Sequence, residues 1–269
     1  MDIETHAKRR VEGGRLVFYA RAADAGFWDH QWGRLASAAF YEPARQGELG
    51  WLSRWVLRYM PREGKILEAG CGLGQHVVAL RHLGFDAEGI DWAQRTVETA
   101  RRFIPGLPVR AGDATHIDVP DGTYAGYISI GVVEHLPAGP QPFLFEALRI
   151  LRPGGIAIIT VPQFNRLRRA RARLGAYRAP VDGLEFYQYA FAPDEFLSIL
   201  SRTGFEILEV SGYDTYKSLV DEWPWLRRAL DRRVGRYHVG SAVQRVLAAV
   251  RPLERIFGHM LLTVCRRPR

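Results

Sequence analysis

The chain has 269 residues, 47% hydrophobic and 25% charged, a composition that supports a full apolar core without covalent staples. Its two cysteines, Cys71 and Cys265, are too few for a disulfide framework and suit a reducing compartment. A formal net charge of +8 attracts anionic partners in general, without choosing among nucleic acid, phosphate and acidic lipid.

Residues 1–15 are charged and lack the apolar stretch of a signal peptide, and no run of about 18 apolar residues follows to cross a bilayer. The expectation is a cytoplasmic protein whose membrane contact, if any, is peripheral; oligomeric state is not legible. Residues 1–50 mix Phe18, Tyr19, Phe27, Trp28, Trp32, Phe40 and Tyr41 with polar side chains and read as short helices and loops. Residues 1–47 are therefore assigned to an N-terminal helical segment and 48–269 to the main domain. From Glu48, Leu49, Leu52, Val56, Leu57 and Met60 recur at helical spacing until Pro61 and Gly64 close the segment. Short apolar runs at 66–69, 87–90, 109–110, 125–130 and 156–161 then alternate with helical patterns at 75–83, 93–103 and 142–151. That alternation predicts parallel strands with crossover helices, an α/β doubly wound sheet. A helix at 193–202 and strands at 205–211 and 260–265 complete it. The connection at 213–259 is far longer than such connections usually are, so a helical insertion is placed at 214–258.

The strongest local signal is Ile66-Leu67-Glu68-Ala69-Gly70-Cys71-Gly72-Leu73-Gly74, an apolar strand entering three alternating glycines and then a helix. Glycine there lets the backbone approach a ligand closely. Dinucleotide-binding enzymes place GxGxxG at the same junction, so the loop alone leaves a Rossmann dehydrogenase open, although the spacing here is GxGxG. About 20 residues on, Gly89-Ile90-Asp91 ends the second strand with a carboxylate suited to two ribose hydroxyls. Asp113, in Ala111-Gly112-Asp113-Ala114, follows the third strand. With Glu68, these carboxylates stand at the ends of three adjacent strands, where open α/β sheets bind ligands.

The ordered motifs EAGCGLG, GID, GDA, GVVEHL and LRPGG resemble the class I S-adenosylmethionine-dependent methyltransferases over residues 48–212 and the last strand. The resemblance implies a Rossmann-like seven-stranded sheet, mostly parallel with an antiparallel last strand, helices on both faces, and S-adenosyl-L-methionine as cofactor, leaving as S-adenosyl-L-homocysteine. It places Gly70, Gly72 and Gly74 along the methionine part, with Glu68 and Cys71 among the cofactor-binding positions. Asp91 would hold the ribose, Trp92 stack on adenine, Asp113 bind its exocyclic amine and the Ala114 N–H a ring nitrogen, with Gly131 and Val132 beside the sulfonium. Trp92 also reads as a packed surface aromatic.

Methyl transfer from a sulfonium is an in-line displacement, so a protein positions the partners, excludes water and, for a hydroxyl acceptor, removes a proton. Glu134 and His135 follow the fourth strand, and histidine titrates where a general base is useful. Glu134 would cap or orient it; His135 reads equally as a helix-start residue that orders a loop. The Glu-His pair, the Leu151-Arg152-Pro153-Gly154-Gly155 turn and Val161-Pro162-Gln163-Phe164-Asn165-Arg166 resemble the quinone-biosynthesis O-methyltransferases. That branch implies O-methylation of a small molecule: a lipid, glycan, quinone or secondary metabolite.

Candidate acceptor contacts are Asn165, Tyr187 and Tyr189, the tyrosines reading equally as core. Arg166, Arg168, Arg169, Arg171, Arg173 and Arg178 form either a solvated helix face or a contact for an anionic acceptor. The aromatic N-terminal segment fits a lid over the cofactor, with Arg21 on its carboxylate, or plain packing. In the insertion, Val243, Val246, Leu247 and Val250, and Trp223, Trp225, Leu226 and Leu230 among Arg227, Arg228, Arg232 and Arg233, make amphipathic stretches that cover a pocket, meet a membrane or pack on a core. A nucleic-acid methyltransferase is the alternative the charge favours; GVVEHL lacks the Asn/Asp-Pro-Pro-aromatic signature of many such enzymes, and no RNA-binding module is visible. A non-catalytic cofactor-binding scaffold is the other. No His, Cys or carboxylate grouping has metal-ligand spacing, so no metal is expected.

Overall fold

The computed structural model describes residues 7–230, 233–234 and 237–269. Strands β1 (Lys8–Glu12) and β2 (Arg15–Ala20) precede helices α1 (Ala25–Gly33), α2 (Glu42–Arg45) and α3 (Ser53–Tyr59). Next come β3 (Lys65–Ala69), α4 (Gln75–His82), β4 (Ala87–Asp91), α5 (Gln94–Phe103), β5 (Val109–Ala111), β6 (Tyr124–Ile130) and α6 (Gln141–Ile150). The chain continues through β7 (Leu151–Pro162), α7 (Arg166–Arg173), β8 (Glu185–Ala190), α8 (Pro193–Thr203) and β9 (Glu206–Tyr213). Helices α9 (Thr215–Glu222) and α10 (Pro224–Leu230), short strands β10 (Arg233–Val234) and β11 (Tyr237–His238), and helices α11 (Val239–Ala249) and α12 (Arg251–Phe257) lead to β12 (Met260–Arg266).

One seven-stranded sheet has the order β5-β4-β3-β6-β7-β12-β9. Strands β4 and β6 flank β3 in parallel, and β5 runs parallel to β4. The chain end returns antiparallel: Gly154 N–H donates to the Arg267 carbonyl and Arg267 N–H to the Gly155 carbonyl, both at 2.9 Å. The sheet is thus mostly parallel with antiparallel last strands and helices around it, as the motifs imply. Strands covered on both faces need apolar residues throughout, and β6 is buried from Tyr124 to Ser129.

The chain forms two compact units. The glycine-loop unit comprises Ala23–Ile159, Ser198–Glu209 and Thr263–Arg269; the hairpin unit comprises Met1–Ala22, Thr160–Leu197 and Val210–Leu262. In the first, Ile66, Leu67, Val77, Leu80, Ile90, Tyr127, Ile128, Leu144 and Ile150 build the core. Helix α5 shows how the pattern works: Val97 and Ala100 are buried while Arg95, Glu98, Arg101 and Arg102 face water.

In the hairpin unit, β1, β2 and β8 make an antiparallel sheet where the sequence led to helices and loops over residues 8–20. The reason is the Gly13-Gly14 turn, with φ of +56° and +86°, a two-residue connection whose left-handed backbone matches strand twist. The segment 151–155, expected as a turn, opens strand β7 instead; Gly154 takes φ of +78°, and Gly155 admits no side chain, since a Cβ there would stand 2.8 Å from the Arg152 carbonyl. Arg232 lies outside the described residues, as do the side chains of Arg228 and Arg233. Among the described residues no helix is long and apolar enough to cross a membrane.

Candidate functional site

Strand β3 ends at Ala69, and the chain turns through Gly70, Gly72 and Gly74 at φ of +75°, +53° and +72° before α4 begins. Crowding excludes side chains as firmly as backbone does: a Cβ on Gly70 would lie 2.2 Å from Val132 Cγ2, and one on Gly72 2.4 Å from Trp32 Cε2. The Gly70 and Cys71 N–H groups both donate to the Ile90 carbonyl, at 2.8 and 3.0 Å, which pins the loop to the end of β4.

Asp91 closes the same junction. Its Oδ2 accepts from Gly72 N–H at 2.8 Å and its Oδ1 from Ala93 N–H at 2.9 Å. A carboxylate offers about four lone-pair sites, so each oxygen keeps acceptor capacity for a ligand. Burial pushes the Asp91 carboxyl above its ordinary range; the two backbone bonds oppose this, and the charges of Glu68 and Asp29 add to it. Beneath the loop, buried Glu68 holds His76, with Oε1 2.7 Å from Nδ1. Burial pulls His76 down, but the charge and hydrogen bond of Glu68 outweigh it and raise its pKa.

A cavity of about 340 Å³ runs along these strand ends. From β3 it takes Gly70, from β4 Asp91 and Trp92, from β5 the Gly112-Asp113-Ala114 turn, and from β6 Gly131, Val132 and His135. Asp113 Oδ1 accepts from the Thr115 N–H and hydroxyl, each at 2.8 Å, a local turn that fixes the carboxylate. The lining is completed by Trp28 and Trp32, one helical turn apart on α1, and by Leu136, Pro142 and Phe143. Helix α1 is held by its own Asp29, whose Oδ1 accepts from Thr96 N–H (2.8 Å) and Thr96 Oγ1 (2.9 Å) at the start of α5, where a negative charge also meets the positive end of the helix dipole. The Trp28 ring meets His135 edge-on, with centroids 5.1 Å apart.

Eight expected positions therefore border one cavity: Gly70, Asp91, Trp92, Asp113, Ala114, Gly131, Val132 and His135. Glu68, Cys71, Gly72 and Gly74 build the loop without lining it. The Cys71 thiol packs on Gly89, where a Cβ would lie 2.8 Å from Sγ, and burial pushes its pKa well up. Glu134 is 1% exposed and lies outside the lining; a Cβ on Gly131 would stand 3.4 Å from its Oε1.

The remaining candidates fall in the hairpin unit. Arg21 is exposed beyond β2. Tyr187 is buried within β8, and the Tyr189 ring packs 5.7 Å from Phe191 with the Arg15 guanidinium 4.9 Å away. Asn165, an expected acceptor contact, has its side chain engaged within the hairpin unit. It is fully buried and caps α7, its Oδ1 accepting from Arg168 N–H at 2.9 Å while Nδ2 donates to Ser218 Oγ and the Phe257 and Gly258 carbonyls. That leaves it no donor for a ligand. Beyond the named contacts the cavity takes Gly112, Thr115, Ile130, Leu136, Pro142 and Phe143, together with Trp28 and Trp32 of the segment read as a lid or as plain packing. The two tryptophans carried a signal, a four-residue spacing behind the helix cap Asp24, whereas the others are brought in by the chain's return to the strand ends.

The lining fits an adenosyl sulfonium: cavity-facing backbone at Gly70, Gly112 and Gly131, a carboxylate with spare acceptor sites, an exposed indole at Trp92 and an apolar wall. Residues 67–159 match the family model for a methyltransferase domain. A ubiquinone biosynthesis O-methyltransferase from Rickettsia canadensis is 30% identical over 170 residues, covering 59% of this chain and 69% of that one. Another so named, from Roseobacter denitrificans, is 25% identical over 248 residues, 87% and 94% of the two chains. A Mycolicibacterium smegmatis protein named as a probable S-adenosylmethionine-dependent methyltransferase is 28% identical over 183 residues, 68% of this chain; the chain spans 65% of that relative's length. In fold, the chain is similar to a methyltransferase solved with the Haloferax volcanii Trm112 activator (TM-score 0.58, 18% identity, 90% and 96% of the chains). It is equally similar to the [4+2]-cyclase SpnF (TM-score 0.57, 20% identity, 94% and 98%). The chain belongs to the class I S-adenosylmethionine-dependent methyltransferases, a family defined by this sheet and its glycine-loop cavity.

Proposed function

We propose that the protein methylates an oxygen of a small-molecule acceptor, with S-adenosyl-L-methionine as donor. The observation that carries this reading is His135 on the wall of the cavity, immediately after the Gly131-Val132 turn and against the Trp28 ring. The relatives named as ubiquinone biosynthesis O-methyltransferases support it.

In this reading Asp91 accepts from the ribose hydroxyls, Trp92 and Asp113 address the adenine, and the Gly70–Gly74 backbone lies along the amino-acid part. The bound cofactor supplies an electrophilic methyl on a positively charged sulfur. A His135 ring nitrogen would take the proton of an acceptor hydroxyl brought to that methyl. Glu134, buried beneath, orders the turn that carries His135. Trp28 and Trp32 keep water away from the reacting atoms.

Incubation with methyl-labelled cofactor and a panel of catechols, hydroquinones and hydroxybenzoates, with total RNA as a further arm, tests this. Expected are methyl ethers from a phenolic acceptor, and a loss of turnover of roughly 10²- to 10⁴-fold in His135→Ala with unchanged cofactor affinity. Label entering RNA instead, or full turnover in His135→Ala, would contradict the reading.

A further inference from the structure

Helix α7, with the sequence Arg166-Leu167-Arg168-Arg169-Ala170-Arg171-Ala172-Arg173, divides its cations between two faces. Arg168 and Arg171 turn to buried Glu222, their Nε atoms 3.1 and 3.0 Å from its carboxylate. Arg169 and Arg173, one turn apart, instead line a second cavity of about 510 Å³ within the hairpin unit. Arg10 from β1 and Arg178 from the chain after α7 stand on the same wall. Phe164, Ala172, Ala176 and Val11 give it an apolar lining, Phe164 being only 4% exposed.

Four guanidiniums thus gather from three segments with little to neutralise them. Arg10 has Glu12 at 3.6 Å, with side chains 48% and 43% exposed, and Arg169 has Asp194 at 3.5 Å on a carboxylate 80% exposed. Such pairs are screened and weak. Among the described residues, Arg173 and Arg178 form no carboxylate pair. Like charges one turn apart also oppose a helix. A solvated face would spread its arginines outward from one helix; here they converge from β1, α7 and the following loop onto an apolar floor.

The backbone is held to make that convergence. Tyr177 has φ +64°, a left-handed conformation costly for a residue with a side chain and kept only where its surroundings fix it. They do: its hydroxyl donates to Glu222 Oε2 at 2.5 Å and the Arg9 guanidinium stacks 4.9 Å from its ring. The reversal sets Arg178 in an antiparallel bridge with Arg10, bringing both to one wall.

We propose that this cavity binds an organic phosphate monoester, the guanidinium forks taking the phosphate oxygens and the Phe164 floor taking the organic group. A dianion with three equivalent oxygens matches several converging forks better than a single carboxylate does.

Calorimetric titration of the full chain with phenyl phosphate, inorganic phosphate and phenol tests the site, alongside sedimentation with phosphatidylglycerol vesicles. Phenyl phosphate is expected to bind more tightly than inorganic phosphate, and phenol not to saturate. The exposed pair Arg173→Ala/Arg178→Ala should weaken phenyl phosphate about tenfold or more, two charge-assisted contacts being removed, while leaving the thermal midpoint unchanged. Raised salt should weaken it as well. No binding of phenyl phosphate, equal affinity for inorganic phosphate, equal binding by the double variant, or anion binding confined to vesicles would each overturn the proposal.

Discussion

Asp91 has two structural hydrogen bonds to satisfy before it meets any ligand, and it is buried while doing so. Removing it in Asp91→Ala should weaken S-adenosylmethionine binding by about 2–4 kcal/mol, or roughly 30- to 1000-fold, because charge-assisted acceptors are lost. The affinity should also depend on pH in a definite sense. The ligand needs the ionised carboxylate, and burial raises the pKa, so affinity falls as pH drops through a point above the usual carboxylate range. Calorimetry between neutral and acidic pH checks this, and a flat profile would remove Asp91 from the ribose. Gly72→Ala confronts both a left-handed backbone and the Trp32 ring. A destabilisation of about 1–3 kcal/mol is expected in denaturant unfolding, with Trp32→Ala restoring the part due to contact and not the part due to φ.

Helix α1 carries two residues of the cavity lining, Trp28 and Trp32, yet contributes one buried residue, Phe27, to the core. Its attachment therefore depends heavily on Asp29 and the start of α5. Asp29→Ala should speed hydrogen exchange of the α1 amides by about 1–2 kcal/mol of local opening, the range for a lost helix cap, while the β3 and β6 amides stay protected. Uniform loss of protection would show the helix to be part of one cooperative core. The same contrast explains what could be read beforehand. Strands β3 to β6 are short apolar runs set by punctuation, and the glycine loop with Asp91 and Asp113 follows from local chemistry, so both were legible from single stretches of sequence. The hairpin was legible too, since Glu12-Gly13-Gly14-Arg15 is a two-residue turn signal, but the aromatic pattern around it suggested helices. The hydrogen bonds of Asn165 were not legible because its partners, Ser218, Phe257 and Gly258, lie more than fifty residues away in sequence. Leu136, Pro142 and Phe143 join the cavity by tertiary packing that no local pattern encodes.

The hairpin unit is organised around buried charge. Arg168, 1% exposed, donates to Glu222 at 3.1 Å and to the Gln163 carbonyl at 3.0 Å, and its Nη2 lies 2.9 Å from His259 Nδ1. Burial pushes the Glu222 carboxyl up, but the charges of Arg9 and Arg168 and the hydrogen bonds from Tyr177 and Arg9 outweigh it, and the pKa ends below the ordinary value. A depressed carboxylate lends stability above its unfolded pKa and loses it as pH falls through the native one, so this network weakens only in acid. Glu222→Gln should cost about 3–5 kcal/mol at neutral pH, since it leaves the buried Arg168 guanidinium with only Asp221, at 4.0 Å, as a carboxylate partner, and should flatten the acid limb of the stability curve. An unchanged acid limb would place the pH dependence elsewhere.

Family membership joins the chain to a fold that also serves a [4+2]-cyclase, so the reaction must be read from the cavity. The most direct test is parallel calorimetric titration of the purified protein with S-adenosylmethionine, S-adenosylhomocysteine and NAD. Saturable binding of both adenosyl compounds, lost in Asp91→Ala, with no heat from NAD, is the expected result. Binding of NAD in place of the adenosyl compounds would contradict the assignment of the cavity.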